Sequence, residues 1–279
     1  MAQIKLSGIY IYPIKSAAGI SLQTAQVENR GFQYDRCWML VDETGKFMTQ
    51  RQFHRMALIG VRLEGNQLIV EAPNYGTLTI PTSLDSADTI FVQVWNDVCE
   101  AIPLTAEVNQ WFSDFLGTSC QLVFMPERSH RPVNPHYATQ NELVSFADGF
   151  PFLLTSEASL EDLNDRLDEP VPMNRFRPNL VVSGCEAFAE DTWRQIRIGS
   201  ILFHVVKGCD RCVVTTIDQT QGIRGKEPLV TLAKYRLWDG KIWFGQNLIP
   251  GQLGTLHVGD SVEIESFNTE SLLISQLST

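Results

Sequence analysis

The chain has 279 residues, of which 44% are hydrophobic and 19% charged, a balance typical of a globular protein with one large domain or two ordinary ones. Its formal net charge of -10 argues against a nucleic-acid-binding protein and against a partner membrane of anionic lipid, because both surfaces are negative. No apolar run approaches the roughly 20 residues that span a bilayer, and the N-terminus lacks a signal peptide's apolar segment, so the sequence predicts a cytoplasmic protein.

The first hundred residues predict a series of short β-strands. The segment "IKLSGIYIY" alternates between apolar and polar residues, and "CWMLV" and "KFMTQ" flank a turn at Gly45. A second hairpin signal, Gly65-Asn66, separates "ALIGVRLE" from "QLIVEA", and the runs "LTIP" and "IFVQV" follow. Closely spaced short strands with turn signals are typical of a barrel or sandwich.

Two helices interrupt the strands. In "TAEVNQWFSDFLG" the apolar residues recur at helical spacing between Thr105, a suitable N-cap, and Gly117, a suitable terminator. In "SEASLEDLNDRL" Ser156 is a suitable N-cap, and Pro170 prevents the helix from continuing. Residues 126–147 lie between these helices and predict a long loop, which in a compact chain is usually functional or mobile.

Strand-like runs resume after the second helix. They are "NLVVS", "ILFHVV", "CVVTTI", "KIWF" and "SVEIES", and the pair Asp239-Gly240 before "KIWF" suits a tight hairpin turn. The pattern predicts a β-rich α+β protein, with one β-rich module to about residue 120 and a second, carrying peripheral helices, over 121–279.

A pair of cysteines, Cys209 and Cys212, stands in "KGCDRCVVTTID" and admits several interpretations. A structural zinc site needs four ligands, and only His204 lies close in the sequence. A redox dithiol needs a helix N-terminus, whereas the β-branched residues after Cys212 predict a strand. Two buried structural cysteines are the simplest alternative, but Arg211 would favour the thiolate of Cys212, which suits a soft metal whose other ligands come from a bound molecule.

Basic residues in the first module suggest an anion site. Lys15, Ser16 and Gly19 follow a predicted strand and could form a phosphate cradle, although an ordinary surface loop explains them equally well. Arg36 stands among apolar residues of a predicted strand, where its charge needs either an internal acid or an anionic ligand.

The second module adds an arginine and an acid of the same kind. Arg177 precedes Pro178, which predicts an extended conformation and could present the guanidinium to a phosphate or a polar ring. Asp148 lies in an apolar turn, "FADGFPF", where a raised pKa would suit proton transfer; a carboxylate that caps its own turn is the alternative.

Taken in order, several segments resemble one family, the MOSC-domain molybdenum enzymes with an N-terminal β-barrel domain. These segments are "YPIKS", "DRCWMLVD", "SFADGFPFLLTSEASLEDLN", "NRFRPNLVVSG", "CDRCVVTTID", "EPLVTLAKYR" and "FGQNLI". They are similar to the bacterial reductases of N-hydroxylated bases and to the mitochondrial amidoxime-reducing components.

The resemblance implies two β-barrel-like modules, a MOSC N-terminal β-barrel domain over 1–120 and a MOSC domain over 121–279. It implies a molybdenum cofactor (Mo-molybdopterin) between them, with Cys212 as the metal ligand. The implied cofactor contacts are Lys15, Ser16, Arg36, Asp148, Gly149, Arg177, Asp210, Arg211 and Asn247.

The sequence departs from the family pattern at three places. Ala17 stands where the family often has a cysteine, and Gly149 and Phe150 stand where some members have a Thr-Ser pair. No cysteine follows Cys212, so the four ligands of a C-terminal ferredoxin cluster are not expected here.

The implied activity is reduction of N-hydroxylated compounds, such as hydroxylamine-type bases and amidoximes, to amines by oxygen abstraction at molybdenum. Electrons would come from an external donor of the ferredoxin or flavoprotein type. Cys212 and Asp148 are the implied catalytic residues, with Asp148 orienting or relaying protons. The alternative is a protein that binds the molybdenum cofactor or carries sulfur on Cys212 and reduces no substrate itself.

Overall fold

Strands make up most of the regular structure of the chain, whose computed structural model describes residues 3–138 and 140–268. The first half contains β1 (Lys5–Ile11), β2 (Ile20–Leu22), β3 (Thr24–Glu28), β4 (Gly31–Phe32), β5 (Trp38–Val41), β6 (Gly60–Glu64), β7 (Gln67–Ala72), β8 (Tyr75–Pro81), β9 (Ile90–Val94), β10 (Asp97–Pro103) and β11 (Gln121–Phe124). The second half contains β12 (Phe152–Ser156), β13 (Leu180–Ser183), β14 (Trp193–Ile198), β15 (Ile201–Asp210), β16 (Leu237–Trp238), β17 (Lys241–Pro250), β18 (Gly254–His257) and β19 (Val262–Phe267). The α-helices are α1 (Ala106–Leu116), α2 (Glu157–Asn164) and α3 (Leu229–Leu232), and short 3-10 helices span His54–Leu58, Met173–Arg175, Ala189–Thr192 and Val213–Thr216.

The largest sheet contains strands from both the first and the second half of the described chain. Its strand order is β19-β14-β15-β17-β12-β13-β1-β2, with β16 added beside β17. The pairing of β1 with β13 is antiparallel, and β12 runs parallel to β13. The loop that leaves β1 therefore starts from the same sheet as the strands of the second half.

Three smaller sheets complete the described structure. Their orders are β5-β11-β10-β9, β6-β7-β8 and β18-β3-β4. The two β modules with few helices that the sequence predicts are confirmed. The boundary at residue 120 remains a prediction, and the last residues of the predicted second domain, 269–279, lie outside the described part.

Both predicted helices form where the sequence places their caps. The Thr105 hydroxyl accepts a hydrogen bond from the Val108 N–H, and Gly117 ends α1 in the left-handed region at φ 70°. The Ser156 side chain accepts from the Ser159 N–H at the start of α2, which ends at Asn164, before the predicted Leu167. No helix in residues 3–138 and 140–268 is long and apolar enough to cross a bilayer.

The predicted strand "CVVTTI" is wrong. Strand β15 ends at Asp210, and the backbone after Cys212 forms the 3-10 helix Val213–Thr216. The hydroxyls of Thr215 and Thr216 donate to the carbonyls of Cys212 and Val213, at 3.0 and 2.7 Å. Threonine side chains can bond their own preceding turn in this way, and here the turn wins over the β propensity of the segment.

Candidate active site

A cavity of about 470 Å³ lies where the loop after β1, the 145–150 turn and the end of β15 meet. It is lined by all the residues that the sequence predicts for the site, namely Lys15, Ser16, Arg36, Asp148, Gly149, Arg177, Asp210, Arg211, Cys212 and Asn247. A larger cavity of about 610 Å³ includes Asn141 and His204 in its lining but none of those residues. The smaller cavity is therefore the candidate site, although volume alone would favour the other.

Backbone strain is concentrated around this cavity. Four lining residues other than glycine have a left-handed backbone: Ser16 (φ 69°), Arg36 (φ 50°), Trp95 (φ 56°) and Arg177 (φ 55°). Such conformations cost free energy and persist where the surrounding structure fixes them, often at functional sites.

Two sequence predictions about these arginines are wrong. Arg36 lies in the turn before β5 rather than in a strand, and Arg177 is left-handed although Pro178 disfavours anything but an extended conformation. Tertiary hydrogen bonds explain the difference, because Arg36 donates to the Asn179 side chain at 2.9 Å and to the Arg177 carbonyl at 3.2 Å.

Two guanidinium groups stack on the ring of one buried tyrosine, Tyr12. The central carbon of Arg36 lies 4.3 Å from the ring centroid, and that of Arg177 lies 4.2 Å from it. Arg36 is neutralised by Asp35 at 2.7 Å. Within the described residues, the Arg177 side chain donates no hydrogen bond and has no acidic partner, and burial, with Arg36 adding to it, lowers its pKa to about 10. A partly buried cation without a partner favours an anionic ligand.

Lys15 is buried beside these arginines. Its ammonium donates to the Asp148 carboxylate at 2.6 Å and to the Phe146 carbonyl at 2.7 Å, and only 6% of its side chain is exposed. Burial lowers the Lys15 pKa to about 8, although Asp148 acts in the opposite direction.

Gly19 does not join Lys15 and Ser16 in a phosphate cradle, as the sequence suggested. It is absent from the cavity lining, and a Cβ at this position would lie 2.5 Å from a ring atom of Tyr12. Gly19 is therefore explained by its close approach to the tyrosine under the two guanidiniums.

Asp148 is surrounded by hydrogen-bond donors. Partial desolvation by itself would raise its pKa, but the Lys15 ammonium at 2.6 Å, the Arg51 guanidinium at 3.7 Å and the Trp95 indole N–H at 3.3 Å hold the pKa of the carboxyl well below its usual range. The predicted raised pKa is wrong, because these donors come from distant parts of the chain. Since 63% of the side chain is exposed, the carboxylate can still receive a ligand.

Arg131 stabilises the turn that carries Asp148 by hydrogen bonds to its carbonyl groups. This arginine is 2% exposed and donates to the carbonyls of Ser145 and Ala147, both at 2.6 Å, and to that of Asp148 at 3.2 Å. Part of the 126–147 loop therefore supports the site rather than lying free on the surface.

The two cysteines have different cationic neighbours. The Arg211 guanidinium, which the sequence placed at Cys212, donates instead to the Cys209 sulfur at 2.9 Å and to the Phe176 carbonyl. The Cys212 sulfur receives a hydrogen bond from Arg51 at 3.3 Å. Burial raises the pKa of the Cys209 thiol, with Arg211 opposing, so the pair is not symmetrical.

The donor set fits an anionic cofactor that carries a soft metal. No group of three or more His, Cys, Asp or Glu in the described part of the chain could hold a metal ion, so a metal at Cys212 would take its other ligands from a bound molecule. The cavity offers that molecule the unpartnered Arg177 and the buried Nε of Arg211, which has no hydrogen-bond acceptor among the described residues. A sulfur ligand in one part of the cavity and guanidinium groups without acidic partners in another match a cofactor that carries both a metal and a phosphate group.

Several lining residues lie outside the set predicted from the sequence, among them Thr49, Arg51, Trp95 and Asn179. Arg51 lies in "FMTQRQ", where no local pattern separates it from a surface arginine. Trp95 lies at the tip of the β9–β10 hairpin, and only its size among turn residues hints at a role. Both reach the site through the packing of strands that are distant in sequence.

This chain is similar in sequence to known proteins over most of its length. Residues 3–119 match the MOSC N-terminal beta barrel domain, and residues 141–263 match the MOSC domain. The chain is 38% identical to the mitochondrial amidoxime reducing component 2 of Rattus norvegicus, over 92% of this chain and 82% of the relative. It is also 38% identical to the mitochondrial amidoxime-reducing component 1 of Mus musculus, over 91% and 80%. A solved structure, the YUAD protein of Bacillus subtilis, covers 94% of this chain and 97% of its own at 12% identity and a TM-score of 0.44.

Proposed function

Because this chain belongs to the MOSC-domain family that includes the mitochondrial amidoxime-reducing components, we propose that it is a molybdenum-cofactor-dependent reductase of N-hydroxylated compounds. Its substrates are hydroxylamine-type bases and amidoximes, which it converts to amines. The observation that carries the proposal is the Cys212 sulfur, which lines the same cavity as the unpartnered Arg177 guanidinium. A thiolate and a phosphate site in one cavity are what such a cofactor needs.

The residues divide into two groups around the proposed cofactor. Lys15, Ser16, Arg36 and Arg177 form the cationic side that holds the phosphate and part of the pterin. Gly149, Asp210, Arg211 and Asn247, which line the same cavity, would complete the pterin contacts. Cys212 is the protein ligand of the metal. The cluster of local cations explains how a chain of net charge -10 binds an anion.

The bound cofactor supplies the two-electron reduction of an N–O bond. Conversion of a hydroxylamine to an amine and water consumes two electrons and two protons, and an external donor of the ferredoxin or flavoprotein type supplies the electrons. The chain's own contribution is to position the substrate. Asp148 is ionised and partly exposed beside Lys15, so it accepts a hydrogen bond from a protonated nitrogen or an N–OH group and orients it.

Replacement of Asp148 by Asn should lower turnover by about 10- to 100-fold while the molybdenum content stays within about twofold. The amide keeps the shape and can still accept a hydrogen bond, but it lacks the negative charge that attracts a cationic substrate. Because the folded-state pKa of Asp148 lies below its usual range, the carboxylate stays charged above about pH 4, and the wild-type pH–rate profile should lack an acidic limb from Asp148 between pH 5 and 8. Unchanged turnover in the Asn variant would remove the proposed role.

Cofactor affinity should fall as the pH rises through 8. The Lys15 pKa is lowered from 10.5 to about 8, so below pH 8 the residue carries the charge that a phosphate needs, and above pH 8 the charge is lost. By the same linkage, the cofactor-free protein gains stability between pH 8 and 10.5, because there the unfolded chain binds more protons than the folded one. Release of cofactor measured at pH 7 and 9 checks the first effect, and urea unfolding checks the second. Lys15→Met should bind less tightly and with no such pH slope; an equal slope in that variant would contradict the assignment.

The reductase is distinguished from a cofactor carrier by two measurements on the purified protein. Molybdenum per chain is determined first, and then turnover with a reduced viologen dye as donor and a hydroxylamine-type base as substrate. Stoichiometric molybdenum with amine formation supports the proposal. Stoichiometric molybdenum without reduction favours the carrier, and zinc in its place contradicts both functions.

A further inference from the structure

We propose that Arg51 is the positioning residue of the metal thiolate: it fixes the Cys212 sulfur by a hydrogen bond and sets how strongly that sulfur donates electrons to the metal. This inference rests on the proposed function. Arg51 lies 161 positions before Cys212 and belongs to the first half of the chain. The metal ligand would thus be supplied by one half of the protein and tuned by the other.

The contacts of Arg51 converge on the reacting groups. Its Nη2 lies 3.3 Å from the Cys212 sulfur and 3.7 Å from the Asp148 carboxylate, and its guanidinium stacks on Trp95 at 4.5 Å. Among the residues that the structure describes, the Cys212 sulfur is the hydrogen-bond acceptor of this side chain. A single cation therefore contacts both residues proposed to be catalytic.

The backbone on the N-terminal side of Arg51 is clamped to the segment that follows Cys212. Gln50 is fully buried and exchanges two amide hydrogen bonds with Gln219, at 3.1 and 3.0 Å. The Gln50 side chain also donates to the Ser16 carbonyl at 2.7 Å, and the Arg51 N–H donates to the Thr49 hydroxyl at 3.2 Å. Gln219 lies in the turn after the 3-10 helix Val213–Thr216, which follows Cys212. The hydrogen bonds between Gln50 and Gln219 therefore fix the position of Arg51 relative to Cys212. An ordinary surface arginine has no such support.

The hydrogen bond has a definite electronic consequence. A cationic N–H donor withdraws electron density from a metal-bound sulfur, and hydrogen bonds to sulfur ligands raise the reduction potential of the metal. The same cation holds the Asp148 carboxylate near the sulfur, so substrate orientation and ligand strength depend on one side chain. Arg51 thereby makes the metal easier to reduce by the external donor.

The test compares Arg51→Gln and Arg51→Lys with a matched control, Arg55→Gln. Arg55 is exposed and stacks on Phe115, away from the cavity. Three quantities are measured: molybdenum per chain, the midpoint potential of the metal from a redox titration followed by electron paramagnetic resonance, and the rate at which iodoacetamide alkylates Cys212 in protein made without cofactor. The last measurement needs no metal, because the thiolate is the nucleophile.

Arg51→Gln should keep its molybdenum within about twofold, shift the midpoint potential to lower values and change the alkylation rate of Cys212 about tenfold at pH 7, because the sulfur loses its hydrogen-bond donor. Arg51→Lys should lie between Arg51→Gln and wild type, since it keeps the charge but loses the planar fork. The Arg55 control should match wild type in all three. An unchanged potential together with an unchanged alkylation rate overturns the inference, and so does complete loss of molybdenum with wild-type alkylation, which would make Arg51 a cofactor contact.

Different results contradict the proposed function and the role of Arg51. Wild-type protein that contains no molybdenum when the cofactor is supplied contradicts the proposed function, whereas the alkylation rates still decide whether Arg51 acts on Cys212. Circular dichroism of both variants checks that each one is folded.

Discussion

Cys212→Ser should lower turnover by at least about a thousandfold and remove most of the molybdenum, whereas Cys209→Ser should keep most of both. Changes that leave the ligand in place and alter only its neighbours typically cost 10- to 100-fold, so loss of the ligand itself should cost more. The serine hydroxyl is a hard donor and replaces a soft thiolate that the metal prefers. Metal analysis and single-turnover rates on the two variants, prepared side by side, check the difference.

Cys209 is a strict control because it lines the same cavity. Burial raises the pKa of its thiol, although the Arg211 guanidinium 2.9 Å from the sulfur acts in the opposite direction, so Cys209 is the less suitable thiolate ligand. Serine keeps a hydrogen-bond acceptor for Arg211. If Cys209→Ser lost molybdenum and Cys212→Ser retained it, Cys209 would be the metal ligand instead of Cys212. Equal losses in the two variants would mean that both cysteines are needed to hold the metal.

Arg177→Met should weaken cofactor binding by about 10- to 100-fold and yet leave the cofactor-free protein as stable as wild type or more stable. The first effect follows because a hydrogen bond to a charged group contributes roughly 1.5–3 kcal/mol. The second follows because burial lowers the pKa of Arg177 and so disfavours its charge in the folded protein, although the Tyr12 ring and the Asp35 and Asp148 carboxylates partly offset this cost. We expect a gain on the order of 1 kcal/mol in the free energy of unfolding.

Arg177→Met is expected to weaken cofactor binding without lowering the stability of the cofactor-free protein. This combination distinguishes a binding residue from a structural one. Cofactor retention is measured after dialysis, and unfolding is followed in urea with protein made without cofactor. Arg194→Met on β14 is the matched control, because Arg194 is exposed and lies outside the cavity lining. A loss of stability in cofactor-free Arg177→Met would instead assign Arg177 to the internal structure.

Local chemistry made some elements readable from the sequence. Thr105 and Gly117 delimit α1, and Ser156 begins α2, because caps act on the backbone within one turn of themselves. Gly65-Asn66 and Asp239-Gly240 join β6 to β7 and β16 to β17 for the same reason. The strand predicted after Cys212 does not form, because hydrogen bonds from threonine hydroxyls to the preceding turn outweigh the β propensity of the segment.

At the candidate site, the identity of the residues could be predicted from the sequence, whereas their interactions depend on tertiary packing. The sequence supplied the residue types and, through ordered segments, the set that lines one cavity, from Lys15 to Asn247. It could not supply the electrostatics, because the pKa of Asp148 depends on Lys15 and Arg51, which lie 133 and 97 positions away along the chain. It also assigned the cation beside Cys212 to Arg211, whereas the fold placed Arg51 there. Hydrogen bonds and charge interactions act over a few ångströms of space, and only the packing of the strands determines which distant residues come within that range.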